Sequence, residues 1–390
     1  MKSEEHPITV FLGFYNAEKY LESMLDQIKS QSNQNFQLLV VDNNSQDSTY
    51  EKINTWIETF GPRIELVKNS INYGAYGSLF KNIEKIKTPW FCWIHQDDFY
   101  KPNHIETLLE MINRGDASII GVSTTMGSLT YSGKIMNSKP RSTWFTQESD
   151  QAGQFLQNLK AQAFPDPASA YKLEIFKKTP IPVHSSSFPD TEHTLKMLGY
   201  GKFLVSEKET MLYRENPYSD SHVLNSVERE VGAVLGLIRV FNSDEFEMLL
   251  NTIESQKQGQ FATQFLVSLS YRITTPNLLK IIEISALEKM SMVWGYNQRD
   301  ISELLIEKYA TFSSSLTINT LKNLSQTHFT KENSSLHNSK DTININSRIW
   351  EWYFNSQIKL FKKYNKKILK TIYQIIFLIK PKHRWNNRWK

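Results

Sequence analysis

Ile8–Tyr20 reads ITVFLGFYNAEKY, and Leu38–Ser48 reads LLVVDNNSQDS. Each stretch starts as an apolar run of strand length, passes through a polar turn and enters a segment with helical spacing of apolar residues. The same alternation continues to about residue 123. Strands separated by helices of about 10–15 residues are typical of βαβ units. The sequence therefore predicts an α/β fold whose mostly parallel sheet is flanked by helices.

The predicted elements place polar loops at one edge of this sheet. Strands are predicted at Ile8–Gly13, Phe36–Val41, Ile64–Val67, Trp90–Ile94 and Ser118–Ser123. Helices are predicted at Ala17–Ser30, Asp47–Thr59 (with Ser45 or Asp47 as its N-cap), Ala75–Ile86 and Lys101–Asn113. Ligands of parallel sheets bind at the carboxyl ends of the strands. We therefore expect a binding site in the loops that follow the first four strands.

The rest of the chain divides by composition. Residues 125–215 are less regular but include a predicted helix at about Asp190–Leu198, and residues 223–310 show helical spacing. Residues 313–347 are dense in Ser, Thr and Asn, which is typical of a linker. We predict a first domain over 1–222, a helical domain over 223–312, a linker over 313–347 and a basic tail over 348–390.

Charge is distributed unevenly along the 390 residues, whose formal net charge is +5. The segment Ile345–Lys390 holds twelve Lys or Arg and one acidic residue, so its charge is +11 and that of the remainder is −6. The mildly acidic body argues against nucleic acid as its partner. The strongly basic tail indicates that the tail binds an anionic partner of its own. The single cysteine, Cys92, excludes an internal disulfide and fits a reducing compartment.

The tail has the pattern of an amphipathic helix. Six lysines between Lys359 and Lys370 recur on one face, isoleucines and other apolar residues cover the other, and tryptophans flank the stretch. This pattern favours an anchor lying in the plane of an anionic membrane. The alternative is a surface helix packed on the helical domain with its lysines outward. No segment approaches the ~20 apolar residues of a spanning helix, and the N-terminus lacks the features of a signal peptide, so we expect a soluble body.

Three carboxylate-bearing loops are candidates for chemistry. Asp42 ends the second strand, where it could bind a ribose or base or simply belong to a capped turn. Asp97 and Asp98 follow the fourth strand, and a divalent cation with oxygen ligands would relieve their repulsion; a solvated acidic turn is the alternative. Asp190 opens a helix, either as an ordinary cap or as a general base.

The order and spacing of these segments resemble the inverting nucleotide-sugar glycosyltransferases of family 2, which have the Rossmann-like GT-A fold. The matching segments are Ile8–Tyr20, Leu38–Ser48, Asn72–Asn82, His95–Asp98, Phe188–Leu204 (FPDTEHTLKMLGYGKFL) and Tyr213-Arg214. The resemblance covers roughly residues 6–222. It implies a GT-A domain followed by an α-helical C-terminal region.

The resemblance implies a nucleotide-sugar site built from the first strands. Gly13 and Tyr15 would line the base, and Asp42 would hydrogen-bond it. Lys81 would lie near the diphosphate, where the family usually has an arginine. Lysine keeps the charge but loses the bidentate fork of the guanidinium.

The same resemblance implies a metal and a base. Asp97 would contact the ribose or the metal, Asp98 would hold a divalent cation (Mn²⁺ or Mg²⁺) that bridges the phosphates, and Asp190 would be the general base. His95 stands where the family has the first aspartate of its acidic run. Asn216 stands where many relatives have a metal-binding histidine, for which His222 is a possible substitute.

The resemblance thus implies a metal-dependent transfer of a sugar from a nucleotide-sugar donor, UDP- or dTDP-linked, to a glycan or lipid-linked glycan in cell-surface polysaccharide synthesis. Such a protein is expected in the cytoplasm, peripheral to the inner face of the membrane. One alternative is a non-catalytic relative that binds nucleotide or glycan or acts as a scaffold. A nucleotidyltransferase is disfavoured because no Gly-rich loop with Lys or Arg follows the first strand.

Overall fold

The computed structural model describes residues 6–58, 63–136, 149–182, 188–217, 226–273 and 276–295. Its strands are β1 Ile8–Phe14, β2 Gln37–Asp42, β3 Ile64–Lys68, β4 Trp90–His95, β5 Phe99–Tyr100, β6 Ile119–Leu129, β7 Ile135–Met136, β8 Ser169–Lys172 and β9 Lys202–Arg214. Its helices are α1 Glu18–Lys29, α2 Thr49–Ile57, α3 Gly74–Asn82, α4 His104–Arg114, α5 Gln151–Ala161, α6 Leu173–Lys178, α7 Pro189–Met197, α8 Ser226–Phe241, α9 Asp244–Asn251, α10 Ser255–Arg272 and α11 Pro276–Trp294.

The described strands form a single sheet in the order β3-β2-β1-β4-β8-β6-β9-β5, with β7 paired to β6. The first four strands are parallel, as the alternating pattern predicts. Gly13 of β1 is in register with Val41 of β2 and with His95 of β4. The loops after these strands therefore emerge side by side at the carboxyl edge of the sheet. The predicted α/β class with the GT-A arrangement is confirmed.

The second half of the sheet differs from the predicted elements. β8 lies antiparallel between β4 and β6, and β9 runs parallel to β6 with shifts in register. Both strands fall in the region whose sequence lacks regular alternation. β8 has only four residues, and the middle of β9 is partly exposed, so neither gives a clear period-two pattern.

Helix positions agree with the prediction except at some ends. The apolar face of α1 buries Leu21, Met24, Leu25 and Ile28 as expected. Helix α4 begins at His104, three residues late, because His104 N donates to Lys101 O at 3.1 Å and closes a turn that contains Pro102. Helix α3 ends early and continues as the 3-10 helix Ile83–Lys85.

The chain divides into two compact units, Met1–Ser255 with Ser268–Lys289, and Gln256–Val267 with Met290–Lys390. In the second unit, the described residues belong to α10 and to the end of α11. The division predicted at residue 222 stays a prediction, and the predicted linker over 313–347 and tail over 348–390 lie outside the described residues. None of the described helices combines the length and the apolar character that crossing a membrane requires.

A buried ion pair fixes α7 to α8. The Glu192 carboxylate is 1% exposed and accepts from Arg239 Nε at 2.6 Å and from Arg239 Nη2 at 2.7 Å. Two parallel hydrogen bonds of this kind are specific to the arginine fork. Glu192 therefore depends on a residue of the helical region for its only cation among the described ion pairs.

We expect Arg239→Met to destabilise the protein by about 3–5 kcal/mol, because it leaves the Glu192 charge buried and unpaired. Urea unfolding followed by far-UV circular dichroism measures the loss. The control is the double variant Glu192→Gln/Arg239→Met, which removes both charges and should recover most of the stability. A single variant as stable as the wild type would contradict a stabilising role for the pair.

Candidate active site

The loops after β1 and β2 hold each other in place. Asn16 has a left-handed backbone, with φ of 46°, and its N donates to Ser45 Oγ at 3.0 Å. Asn16 Oδ1 accepts from Gln46 N at 2.8 Å, and Ala17 N donates to Thr49 Oγ1 at 2.9 Å. The prediction of Ser45 as an N-cap is wrong, because its hydroxyl serves the neighbouring loop. Asp47 precedes the N-cap Ser48 and accepts from Thr49 N at 3.1 Å.

Asp42 ends β2 in full burial. Its carboxylate accepts from Ser45 N at 3.2 and 3.4 Å, so its own loop fixes its orientation. The next residue, Asn43, accepts from Asn69 Nδ2 at 2.9 Å and from Tyr73 N at 3.1 Å through Oδ1. These neutral amides join the loops after β2 and β3 without adding charge.

The loop after β1 is paired with the turn after β4. Tyr15 N donates to Gln96 Oε1 at 2.9 Å, and Gln96 Nε2 donates to Tyr15 O at 3.3 Å. The structure therefore brings Gly13, Tyr15, Asp97 and Asp98 to one place, as the strand order predicts. Gln96 was not identified from the sequence, because a lone glutamine in a turn gives no signal of this pairing.

The Asp98 carboxylate is buried and only half satisfied. Its Oδ1 accepts from Arg214 N at 2.9 Å, whereas its Oδ2 is buried with no hydrogen-bond partner among the described residues and lies 3.9 Å from His95 Nδ1. Burial raises the pKa of Asp98 well above its usual range, the charge of Asp97 adds to this, and the Arg214 N–H opposes it. A nearby cation would offset the cost of keeping this group ionised.

The donor atoms of this turn fit a divalent cation. Asp97 and Asp98 supply hard carboxylate oxygens, and Asp98 Oδ2 has an unused lone pair. Burial lowers the pKa of His95 to about 4, which keeps its ring neutral at neutral pH. No group of three or more His, Cys, Asp or Glu is arranged to hold a metal within the described ranges. Proteins usually bind Mg²⁺ through one or two carboxylates, and water and ligand phosphates complete the coordination.

A cavity of about 430 Å³ opens beside this turn. Its lining includes both carboxylates and two cationic side chains, those of Lys19 and Arg214. Arg214 Nε donates to Asp97 O at 2.6 Å, and Arg214 Nη1 donates to Tyr131 O at 3.3 Å. Asn216 Nδ2 donates to Asp97 Oδ2 at 3.2 Å. The family resemblance includes Tyr213-Arg214 but implies no role for Arg214. In the structure, Arg214 connects β9 to the acidic turn through its hydrogen bonds to Asp97 and Asp98.

Asp190 lies in the first turn of α7. Its Oδ1 accepts from Thr191 N at 2.7 Å, and its Oδ2 accepts a short hydrogen bond from Gln162 Nε2. Burial raises the pKa of Asp190, and the positive charge of Arg272 opposes that rise. Among the described residues, Asp190 has no hydrogen bond to Asp97 or Asp98.

Buried groups connect Asp190 with the acidic turn. Asp166 accepts from the hydroxyls of Tyr76, by a short bond, and of Tyr171, at 2.5 Å. The Tyr76 and Trp93 rings lie 4.9 Å apart, and so do the Trp93 and His95 rings. The negative charges of Asp166 and Asp190 also interact. The two predicted parts of the site are thus linked through one aromatic layer.

Lys81 is exposed on α3, with its ammonium 5.9 Å from the centroid of the Tyr73 ring. Since Tyr73 N donates to Asn43, Lys81 lies toward the β2 and β3 loops. Its place beside a diphosphate stays a prediction.

The fold and these loops define a GT-A domain. Residues 9–179 match the model of the family described as Glycosyl transferase family 2. The chain therefore carries a domain of glycosyl transferase family 2, and the resemblance seen in the sequence is confirmed.

Known proteins resemble this chain over parts of their length. It is 29% identical to the teichoic acid poly(glycerol phosphate) polymerase of Staphylococcus epidermidis over 112 aligned residues. The aligned segment covers 29% of this chain and 16% of that protein. It is 27% identical to an uncharacterized glycosyltransferase of Haemophilus influenzae over 109 aligned residues. The aligned segment covers 28% of this chain and 33% of that protein. The chain thus matches a third or less of either protein.

The crystal structure of residues 1–349 of S. aureus TarS in complex with UDP-GlcNAc is similar in fold. The TM-score is 0.51 at 13% identity, over 74% of this chain and 90% of that chain. At this identity the similarity supports the fold alone.

Proposed function

We propose that this protein is a metal-dependent inverting glycosyltransferase that moves a sugar from a nucleotide-sugar donor to a hydroxyl of a glycan or lipid-linked glycan. The observation that carries the proposal is the buried Asp98 oxygen without a partner, at the carboxyl edge of a family 2 domain. Beside it lie Asp97 and, through the Tyr15–Gln96 pairing, the loop after β1. This edge is where α/β sheets bind nucleotides.

The donor nucleotide lies across the loops after β1, β2 and β4 in this proposal. Gly13 and Tyr15 line the base, Asp42 hydrogen-bonds it, and Asp97 binds the ribose or the metal. Asp98 and Asp97 would hold Mn²⁺ or Mg²⁺, which would supply positive charge to stabilise a departing nucleoside diphosphate. Lys81 adds positive charge from the α3 side, and Arg214 holds the acidic turn in shape.

Transfer then needs a base. Asp190 accepts the proton of the acceptor hydroxyl, and the oxygen attacks the anomeric carbon from the face opposite the leaving diphosphate, which inverts its configuration. The hydrogen bonds from Thr191 N and Gln162 Nε2 hold the carboxylate in one orientation. A general base of this kind contributes roughly 10²–10⁴-fold to the rate.

The names of similar proteins support the substrate class. The S. epidermidis relative is named a teichoic acid polymerase, which favours cell-surface polysaccharide synthesis. The TarS structure is a complex with UDP-GlcNAc, which is compatible with the UDP- or dTDP-linked donor that the family resemblance implies. We place the protein in the cytoplasm at the inner face of the membrane, which its basic tail would bind through anionic lipids. That tail lies outside the described residues.

Calorimetric titration tests the donor site directly. UDP, dTDP and GDP are titrated with and without Mn²⁺, and the nucleotide that binds selects the nucleotide sugar for a transfer assay. We expect one nucleotide to bind only with the metal present. Tight metal-independent binding would remove the proposed metal role, and binding without turnover of any nucleotide sugar would favour a non-catalytic relative.

A further inference from the structure

The first turn of α7 is attached to the end of α5 by one guanidinium. Arg272, the last residue of α10, donates from Nη2 to Thr191 Oγ1 at 3.1 Å. The same group donates to two carbonyls of α5, those of Asn158 and Leu159, both at 3.2 Å. We propose that Arg272 is a positioning residue, which joins α5 to α7 so that Gln162 and Asp190 meet in a fixed geometry.

This inference rests on the proposed function, since it concerns the residue that acts there as base. It also gives a role to the helical region beyond residue 222, whose purpose the sequence leaves open. Arg272 belongs to the same compact unit as α5 and α7.

Gln162 shows why the join matters. It follows α5 with a left-handed backbone, φ 41°, a conformation that is uncommon for a non-glycine residue. From there its amide donates to Asp190 Oδ2, while Thr191 N donates to Oδ1. Both carboxylate oxygens of Asp190 therefore accept from residues at the two helix ends that Arg272 joins. Gln162 follows the α5 carbonyls that Arg272 binds, and Thr191 carries the hydroxyl that it binds.

Arg272 also sits on the N-cap of α7. Its guanidinium lies 5.2 Å from the ring centroid of Phe188, the residue that precedes the helix. Cation–π contact and three hydrogen bonds from one planar group leave it little freedom to move. A lysine could keep the charge in this place but could not bridge both helices.

Charged and titratable groups face Asp190 from four elements. Arg272 of α10 is the cation, and it favours the ionised base. Asp166, in the 3-10 helix before β8, is the opposing anion, with Tyr76 and Tyr171 as its hydrogen-bond donors. Burial and the charge of Asp190 raise the pKa of Asp166 to about 7. Without the Arg272 charge, the charged and titratable groups that face Asp190 in the described part of the chain would be Asp166 and the two tyrosine hydroxyls.

The test is a carbon-13 NMR titration of the full chain labelled at aspartate carboxyls. The Asp190 resonance is identified by its absence in Asp190→Asn. We expect its midpoint to move to higher pH in Arg272→Gln and also in Arg272→Lys, because lysine keeps the charge but cannot bridge both helices. A wild-type midpoint in Arg272→Lys would contradict the positioning role. The exposed Lys160, whose ammonium lies 4.4 Å from the Tyr271 ring centroid, supplies the control variant Lys160→Met, which should leave the midpoint unchanged.

A second variant keeps the test decisive if Arg272→Gln does not fold. Gln162→Asn retains an amide and tolerates the left-handed backbone, yet is too short to reach Asp190. Loss of this hydrogen bond should also move the midpoint to higher pH. Unchanged midpoints in the folded variants would overturn the proposal, because a merely structural arginine would alter melting temperature without altering Asp190.

Transfer assays distinguish this failure from failure of the proposed function. In an active enzyme, the midpoint of the acid limb of the kcat/KM profile should likewise move to higher pH in both Arg272→Gln and Arg272→Lys. The midpoint is read from the protein itself, so it remains interpretable if no sugar transfer is found. Absence of sugar transfer would contradict the proposed function. The positioning role of Arg272 would then be decided by the NMR titration alone.

Discussion

Asp190→Asn is expected to lower kcat by about 10²–10⁴-fold while nucleotide affinity stays nearly unchanged. The amide keeps the shape of the carboxylate and can still accept from Thr191 N, but it cannot take the acceptor's proton. Donor affinity should persist because Asp190 has no hydrogen bond to the acidic turn in the described part of the chain. Initial rates with the donor identified by calorimetry, and titration of its nucleotide, measure the two quantities.

Asp150→Asn is the matched control for this prediction. Asp150 caps α5, with its Oδ1 accepting from Gly153 N at 2.7 Å, and asparagine caps helices about as well as aspartate. If Asp190 only stabilised the first turn of α7, both variants would be equally harmless. Equal loss of turnover and nucleotide affinity in Asp190→Asn would instead point to general disruption of the site.

Asp98→Asn is expected to remove the effect of metal on the protein while leaving its fold intact. With metal at about 100 times its Kd, the wild type should gain about 2.7 kcal/mol of stability, and the variant should gain almost none. Without metal, the variant should melt at the same temperature or higher, because a desolvated carboxylate is replaced by a neutral amide. Melting curves with and without Mn²⁺ measure both effects.

Asp26→Asn serves as the control, because Asp26 is an exposed carboxylate on α1. It should keep the full response to Mn²⁺. A response of Asp98→Asn equal to that of the wild type would remove Asp98 from the metal site. A lower melting temperature without metal would show instead that the ionised carboxylate stabilises the turn by itself.

Sequence reasoning works where the pattern is local. The apolar strands and amphipathic helices before residue 123 determine the parallel half of the sheet, and parallel strands oblige Asp42 and the His95–Asp98 turn to share one edge. The residues that hold these groups were not predictable in the same way. Gln96, Gln162 and Arg272 act through partners 28 to 114 positions away, and a single polar side chain carries no periodic signal.

The short strand β8 and the Ser45 hydroxyl show a second limit of prediction from local patterns. β8 is too short for alternation, and its antiparallel place between β4 and β6 depends on contacts far apart in sequence. The N-cap prediction for Ser45 fails for a related reason, since its hydroxyl is taken by Asn16, 29 residues earlier. In both cases the tertiary contact outweighs the local preference.

The attachment of α7 to α8 has a consequence for how the protein is made. The last described strand of the sheet ends at Arg214, yet the Glu192 charge is not matched until Arg239 has left the ribosome. Until then the nascent chain carries a carboxylate that folding would bury alone, which disfavours early docking of α7. Synthesis should therefore yield the sheet first and the closed first turn of α7 last.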